Sequence, residues 1–213
     1  SSLPDLRKYP SGTPRKKAFL RTVMPYITSQ NAAITAERNW LISKQYQGQW
    51  SPAERARLKD IAKRYKVKWS GNTRKIPWNT LLERVDIIPT SMVATMAAAE
   101  SGWGTSKLAR NNNNLFGMKC MKGRCTNAPG KVKGYSQFSS VKESVSAYVT
   151  NLNTHPAYSS FRKSRAQLRK ADQEVTATAM IHKLKGYSTK GKSYNNYLFA
   201  MYQDNQRLIA AHM

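Results

Sequence analysis

Residues 91–110 read SMVATMAAAESGWGTSKLAR, and this stretch predicts the central helix of the fold. Alanine and methionine favour helix, and the glycines at 102 and 104 end it, so we expect a helix over about residues 90–100. Glu100 lies in the last turn, where the helix dipole and apolar neighbours disfavour a charged carboxylate. A carboxylic acid that keeps its proton can act as a general acid. The alternative is a glutamate that caps or pairs near the helix end.

The rest of the chain is predicted to be mostly helical with one small β element, an α+β pattern. Two capping boxes, SPAE at 51–54 and SVKE at 140–143, each begin a helix. Glycine recurs and the apolar period shortens from Leu115 to Phe138, which predicts a β-hairpin arm. The remaining predictions are helices at 13–47 with an interruption near Pro25, at about 78–85, 164–170 and 173–185, and from Ser193 onward, with the asparagines at 111–114 as a loop.

The charge of the chain limits its partners. The sequence holds 36 Lys+Arg and 11 Asp+Glu, a formal net charge of +25. Such a balance suits nucleic acid, a membrane surface or an acidic polymer such as the bacterial cell wall. Nucleic acid is disfavoured because no helix-turn-helix, finger or RNP-like motif is present. The 40% apolar content excludes a disordered polycation, and no apolar run is long enough to be a transmembrane helix.

The cysteines, Cys120 and Cys125, enclose the tetrapeptide MKGR, in which Gly123 permits a tight turn. A local disulfide would indicate an oxidising compartment, and two free thiols would suit a cytosolic protein. No further ligand lies nearby and the histidines lack metal-ligand spacing, so we predict no metal and no cofactor. The chain opens SSLPD without a signal peptide, as a mature secreted protein also would.

Several motifs together resemble a known family. Glu100 begins ESGWGTS, residues 113–119 read NNLFGMK, and residues 135–138 read YSQF. The pattern continues at Glu143 and Tyr148 and returns in GYST at 186–189 and YNNY at 194–197. Over about residues 80–213 this resembles the peptidoglycan glucosaminidases of glycoside hydrolase family 73, which include flagellar hydrolases, and most of all their Bax-type periplasmic members.

The resemblance implies a lysozyme-like domain over residues 80–213, with residues 1–79 as a helical extension packed on it. It implies a periplasmic or secreted enzyme, an N-acetylglucosaminidase that acts on peptidoglycan glycan strands in the anionic cell envelope. We expect this enzyme to be a monomer. The residue matching Glu100 would be the general acid. The other expected site residues are Tyr194 in a catalytic role, Trp103, Asn114, Phe116, Tyr135 and Tyr187 against the sugar, and a Cys120–Cys125 disulfide.

The sequence departs from the expected pattern at the second carboxylate that glycosidases usually need. Residues 101–142 contain no Asp or Glu. Glu143 is the nearest downstream candidate, although it also fits a helix cap, and Asp86 is a weaker one. Three reactions stay open: attack by the acetamido group of the substrate, attack by water without a base, or formation of an anhydro sugar. A wall-binding or assembly protein that has lost catalysis is the further alternative.

Overall fold

The computed structural model describes residues 3–121, 123, 125, 127–184 and 191–213. The described part is mostly helical, which confirms the mostly-α prediction. Its helices are α1 (Thr13–Lys44), α2 (Pro52–Arg64), α3 (Trp78–Arg84), α4 (Thr90–Ser101), α5 (Lys107–Asn112), α6 (Val141–Thr154), α7 (Ser159–Lys170), α8 (Ala177–Met180) and α9 (Gly191–Ala210). Short 3₁₀ turns lie at Leu6–Lys8, Pro156–Tyr158 and Ile181–Lys183. None of the described helices is long and apolar enough to cross a membrane.

Helix α4 lies at the centre of the packing. Residues 92–98 are all buried, and the helix packs against α1 on one side and α9 on another. A helix that is apolar all round has to be covered on every face, and its alanines let those neighbours approach closely. At its carboxyl end Ala99 is half-buried and Glu100 is exposed, whereas no residue at its amino end is more than half-exposed. The fold therefore presents one acid at the surface end of a buried helix.

Helix α1 is one continuous helix of 32 residues, so the interruption expected near Pro25 is wrong. The proline is exposed, whereas Val23, Met24 and Ile27 around it are buried. Their packing outweighs the roughly 3 kcal/mol that an interior proline costs a helix. The helix packs against α4 and α6, and its buried side chains belong to the same hydrophobic cluster as theirs.

The helix predicted over 173–185 is also wrong. The structure has only α8 and a 3₁₀ turn there, because the Thr176 side chain caps α8 by accepting from the Ala179 amide at 3.1 Å. Asp172, just before this region, follows α7 with a positive φ of 54°. Two further boundaries differ from expectation: α7 begins earlier, at Ser159, and the asparagines at 111 and 112 belong to α5.

The segment from Leu115 to Phe138, named the arm below, has one isolated antiparallel bridge, between Lys119 and Tyr135. The Cys120 amide donates to the Gly134 carbonyl at 3.1 Å on one side of it. The Ser136 hydroxyl takes the place of backbone-to-backbone bonds between the two segments. It donates to the Lys119 carbonyl at 2.8 Å and accepts from the Met121 amide at 3.1 Å. The described part of the arm is thus a loop with one bridge, closed by the Cys120–Cys125 disulfide.

Candidate active site

The Glu100 carboxylate meets a phenol from the last helix. Helices α4 and α9 pack against each other, and the Tyr194 hydroxyl donates a hydrogen bond to Glu100 Oε1. Burial raises the pKa of Tyr194 above its usual value of 10, and the hydrogen bond to Glu100 raises it further. Tyr194 therefore stays protonated and keeps its hydrogen to donate. Within the described part of the chain, no Lys or Arg pairs with Glu100.

A surface cavity of about 540 Å³ lies beside this pair, a volume in the usual range for ligand sites. Among the residues that the structure describes, its lining is Ala99, Glu100, Ser193, Tyr194 and Tyr197. Tyr197 is 55% exposed, so its ring is available to a ligand. The sequence reasoning missed Ser193 and Tyr197 as site residues. The signal was present in the spacing, because residues 194 and 197 share one face of a helix.

The loop that follows the asparagines passes the acid. Gly117 has a φ of +67°, and a Cβ placed on it would lie 3.3 Å from Glu100 Oε2. The Asn114 side chain closes this loop: its Oδ1 accepts from the Phe116 and Met118 amides at 3.3 and 3.1 Å. Its Nδ2 donates to the carbonyls of Met118 and Ser136 at 2.8 and 3.1 Å. Both polar atoms of the Asn114 side chain are thus engaged in shaping the loop beside Glu100.

An aromatic stack supports the same loop from below. The rings of Phe116 and Tyr148 are parallel within 3° and their centroids are 4.2 Å apart. The Tyr148 hydroxyl lies 3.9 Å from the sulfur of Met96, one helical turn before Glu100. Burial raises the pKa of Tyr148 well above 10, and the nearby Tyr158, Tyr194 and Glu100 raise it further. Tyr148 therefore links the loop to the last turns of α4.

The structure places Trp103 away from the cavity. Its ring meets Phe19 of α1 edge-to-face at 5.6 Å between centroids, and Lys16 Nζ lies 5.1 Å from the ring centre. The chain turns there through a positive φ of 55°, which directs the tryptophan toward α1. Tyr135 is half-buried in the arm and does not line the cavity. Tyr187 lies outside the described residues.

Glu143 lies in the first turn of α6 and not in the cavity lining. Its amide donates to Ser140 Oγ at 3.1 Å, and its carboxylate accepts from the amide and hydroxyl of Ser139. This is a variant of the predicted capping box, because the carboxylate binds the residue before the cap. The contacts account for Glu143 as a residue that stabilises a helix end.

Asp86 is buried in a cluster of arginines, which explains it without catalysis. Arg169 binds both carboxylate oxygens at 2.9 and 2.7 Å, and Arg38 and Arg165 approach one of them at 3.5 and 3.9 Å. Burial alone would raise the pKa of Asp86, but the arginine hydrogen bonds and charges outweigh it and hold the pKa below 3.8. Arg165 also donates to carbonyls at positions 83, 86 and 87, so the cluster fixes the segment that enters α4.

Only one carboxylate can act at this cavity. All 11 Asp and Glu residues fall within the described part of the chain, and of these only Glu100 lines the cavity. No group of three His, Cys, Asp or Glu residues in the described regions could hold a metal ion. The geometry offers one acid, a tyrosine that orients it, and an exposed aromatic ring.

An acid beside an open cavity with an exposed aromatic ring is an arrangement suited to glycoside hydrolases, which protonate a leaving sugar oxygen. The chain belongs to the glucosaminidase family: the family model described as mannosyl-glycoprotein endo-beta-N-acetylglucosaminidase matches residues 77–207, more than half of the chain. This match confirms the family suggested by the motifs and the prediction of a glycoside hydrolase. No solved structure matches the chain significantly.

Proposed function

We propose that this protein cleaves the glycan strand of peptidoglycan as an N-acetylglucosaminidase, with Glu100 as general acid. The observation that carries the proposal is the hydrogen bond from Tyr194 to Glu100 beside a cavity, in a chain of the glucosaminidase family. The fold class we propose is lysozyme-like, with the arm in the place of a β-arm. Residues 1–79 would form an extension of the catalytic residues 80–213.

The hydrogen bonding of Glu100 suggests which oxygen carries the acid proton. With Tyr194 donating to Oε1, the oxygen left to hold the proton is Oε2, on the side of Gly117. In the proposed step Oε2 gives its proton to the glycosidic oxygen as the bond from that oxygen to the anomeric carbon breaks. Tyr194 keeps the carboxylate in position before and after the transfer. Asn114 and Phe116 would shape the floor of the groove.

The positive charge that develops at the anomeric carbon can be quenched in three ways. The acetamido oxygen of the same sugar can attack it, water can attack it directly, or a hydroxyl of the sugar can close an anhydro ring. Each of these works with one protein carboxylate. They are favoured over a two-carboxylate mechanism because neither Glu143 nor Asp86 lines the cavity. The anhydro route would make the protein a lytic transglycosylase in its product.

The charge of the chain fits this substrate. Peptidoglycan stem peptides carry carboxylates and the envelope is polyanionic, so a net charge of +25 would draw the enzyme to the wall. A wall substrate implies a location outside the cytoplasm, and we propose the periplasm or secretion. The Cys120–Cys125 disulfide supports such an oxidising compartment. We expect the protein to act as a monomer.

Digestion of purified sacculi tests the proposal. The wild-type protein should release soluble fragments whose new reducing ends are N-acetylglucosamine, as read by mass spectrometry. Glu100→Gln should reduce the release by about 10²–10⁴-fold while still sedimenting with sacculi, because only the proton donor is lost. Glu143→Gln is the matched control and should remain active. Anhydro ends would assign the transglycosylase reaction, and unchanged release by Glu100→Gln would refute the general acid.

A wild-type protein that sediments with sacculi but releases nothing would instead identify a wall-binding or assembly protein. The same two measurements, release and sedimentation, therefore separate the proposed enzyme from that alternative. The comparison requires no assumption about the second catalytic group.

A further inference from the structure

The segment bordering Glu100 is basic and contains no acid. Residues 101–142 hold no Asp or Glu, although the segment includes the whole arm. Lys119 and Lys133 of the arm are exposed, and the side-chain ammonium group of neither has a hydrogen-bond or ion-pair partner in the described parts of the chain. Lys131, by contrast, donates from Nζ to the Asn111 carbonyl at 2.8 Å and thereby ties the arm to α5. The two free lysines therefore have no evident structural role.

The free lysines lie on the part of the arm that is anchored at the acid. Gly117 abuts Glu100 Oε2, and Lys119 follows two residues later, which is at most about 7 Å of extended chain. Lys119 is bridged to Tyr135 on the returning segment. Lys133 precedes Gly134, whose carbonyl accepts from the Cys120 amide at 3.1 Å. These backbone bonds hold the two lysines on adjacent segments of the arm, and Gly117 holds the first of these segments against Glu100.

We propose that Lys119 and Lys133 form a carboxylate-binding wall of the groove, which makes the enzyme prefer glycan strands that carry free carboxylates. This inference rests on the proposed function and adds a substrate specificity to it. Primary ammonium groups without internal partners bind carboxylates through charge-assisted hydrogen bonds. Positive charges held beside the groove are complementary to a negatively charged polymer.

Chemically altered sacculi provide the test. One portion of purified sacculi is left untreated, and a second has its carboxylates converted to methylamides with carbodiimide and methylamine. A third portion is treated with an amidase that removes the stem peptides and leaves the carboxylate on the lactyl group of each muramic acid. The third portion distinguishes the two sources of carboxylate. Initial rates are compared at low and at physiological salt, since exposed ion pairs are screened by salt.

The wild-type protein should cleave untreated sacculi about fivefold faster than methylamidated ones at low salt, as expected for exposed charge pairs. The double variant Lys119→Gln with Lys133→Gln should bring this ratio close to one. Lys59→Gln, which removes an exposed charge from α2, is the matched control and should keep the wild-type ratio. In untreated sacculi the lactyl group is amide-linked, so a preference over methylamidated sacculi reports the stem-peptide carboxylates. Peptide-free strands should be cleaved faster than methylamidated sacculi if a free lactyl carboxylate is also bound, and like methylamidated sacculi if only the stem-peptide carboxylates are bound.

Equal wild-type rates on untreated and methylamidated sacculi would overturn the inference and leave the proposed function intact. So would a double variant that keeps the wild-type ratio, or a Lys59→Gln variant that loses it, because net charge alone would then be responsible. Absence of cleavage of every substrate would refute the proposed function. In that event sedimentation of Glu100→Gln, with and without the lysine substitutions, still measures whether the arm binds carboxylates.

Discussion

At the scale of single residues, Tyr194 contributes a hydroxyl and an aromatic ring to the site, and substitution by Phe removes the first while keeping the second. The hydroxyl donates to Glu100 Oε1, and the half-buried ring lines the cavity. Since burial and this hydrogen bond raise the pKa of Tyr194 above 10, the phenol is fully protonated below its unfolded value. Its contribution to stability is therefore complete below pH 10 and is lost only as the pH rises through the higher folded value.

Tyr194→Phe should lower kcat by about 10- to 100-fold, because Glu100 loses the donor that holds it while the ring still fills its place. The KM for sacculi and the thermal stability should change little. Rates and KM measured on sacculi, with a melting curve for each protein, check this. A higher KM with an unchanged kcat would show that Tyr194 acts only as a contact to the sugar.

Gly117 has a positive φ, of +67°, and also lies against Glu100. Gly134 in the same arm has a positive φ, of +83°, but no such neighbour, so it serves as a control. Alanine at either position should cost about 1–2 kcal/mol through backbone strain. Gly117→Ala should in addition lower kcat, since its Cβ would displace the carboxylate. Equal activity losses in Gly117→Ala and Gly134→Ala would contradict a special role for the contact.

At the scale of the elements, the Asp86 cluster holds the segment that enters α4. Asp86→Asn should destabilise the protein by about 3–5 kcal/mol, because it leaves three arginines without their shared buried partner. Asp60→Asn is the control: its pair with Arg64 is exposed and should be worth less than about 1 kcal/mol. Urea unfolding of both variants measures the difference. Similar losses would show that the burial of the cluster adds nothing.

The Asp86 cluster also predicts how the free energy of unfolding changes with pH. The pKa of Asp86 is lowered by its arginines below 3.8, so its stabilising contribution is complete above the unfolded value and is lost as pH falls through the folded one. The gap in unfolding free energy between wild type and Asp86→Asn should therefore stay constant from pH 5 to pH 8. It should begin to shrink only below about pH 4. A gap that changes near neutral pH would point to another group.

The elements that were predictable from the sequence have local causes. Helix α2 begins where its capping box places it, with Ser51 and Glu54 satisfying each other's amides. Helix α4 was visible from its composition and its terminal glycine. The short α8 was not, because the chain leaves α7 through a left-handed Asp172 that the sequence does not announce. Asn112 belongs to a helix because its side chain binds the Val132 backbone, a contact between distant residues.

In the candidate site, too, the residues with local signals were predictable and those that depend on distant contacts were not. Glu100 stood out as a lone acid in an apolar helix, and the family motif directed attention to Tyr194. The placement of Trp103 could not be anticipated, because it depends on Phe19, which belongs to a helix far away in the sequence. The exposure of Glu100 could not be anticipated either. Ala98 and Ser101 in the last turn of α4 are buried, whereas Glu100 is exposed at the cavity.

At the scale of the whole molecule, the family boundary at residue 77 is not a boundary of the hydrophobic core. Helix α1 lies before that boundary and still covers α4 and α6. Phe19 is fully buried, and it approaches both Trp103 and Gly104 in the loop after Glu100. Helix α1 therefore supports α4 and the loop that follows it.

A fragment that begins at Pro77 should consequently fail to fold, because α4 would lose the cover of α1 and expose largely apolar surface to water. Circular dichroism during heating should show a single cooperative transition for the full chain and none for the fragment. Phe19→Ala in the full chain is the milder counterpart and should cost about 3–5 kcal/mol of stability. A fragment that melts cooperatively and digests sacculi would show that the first 76 residues are a separable addition.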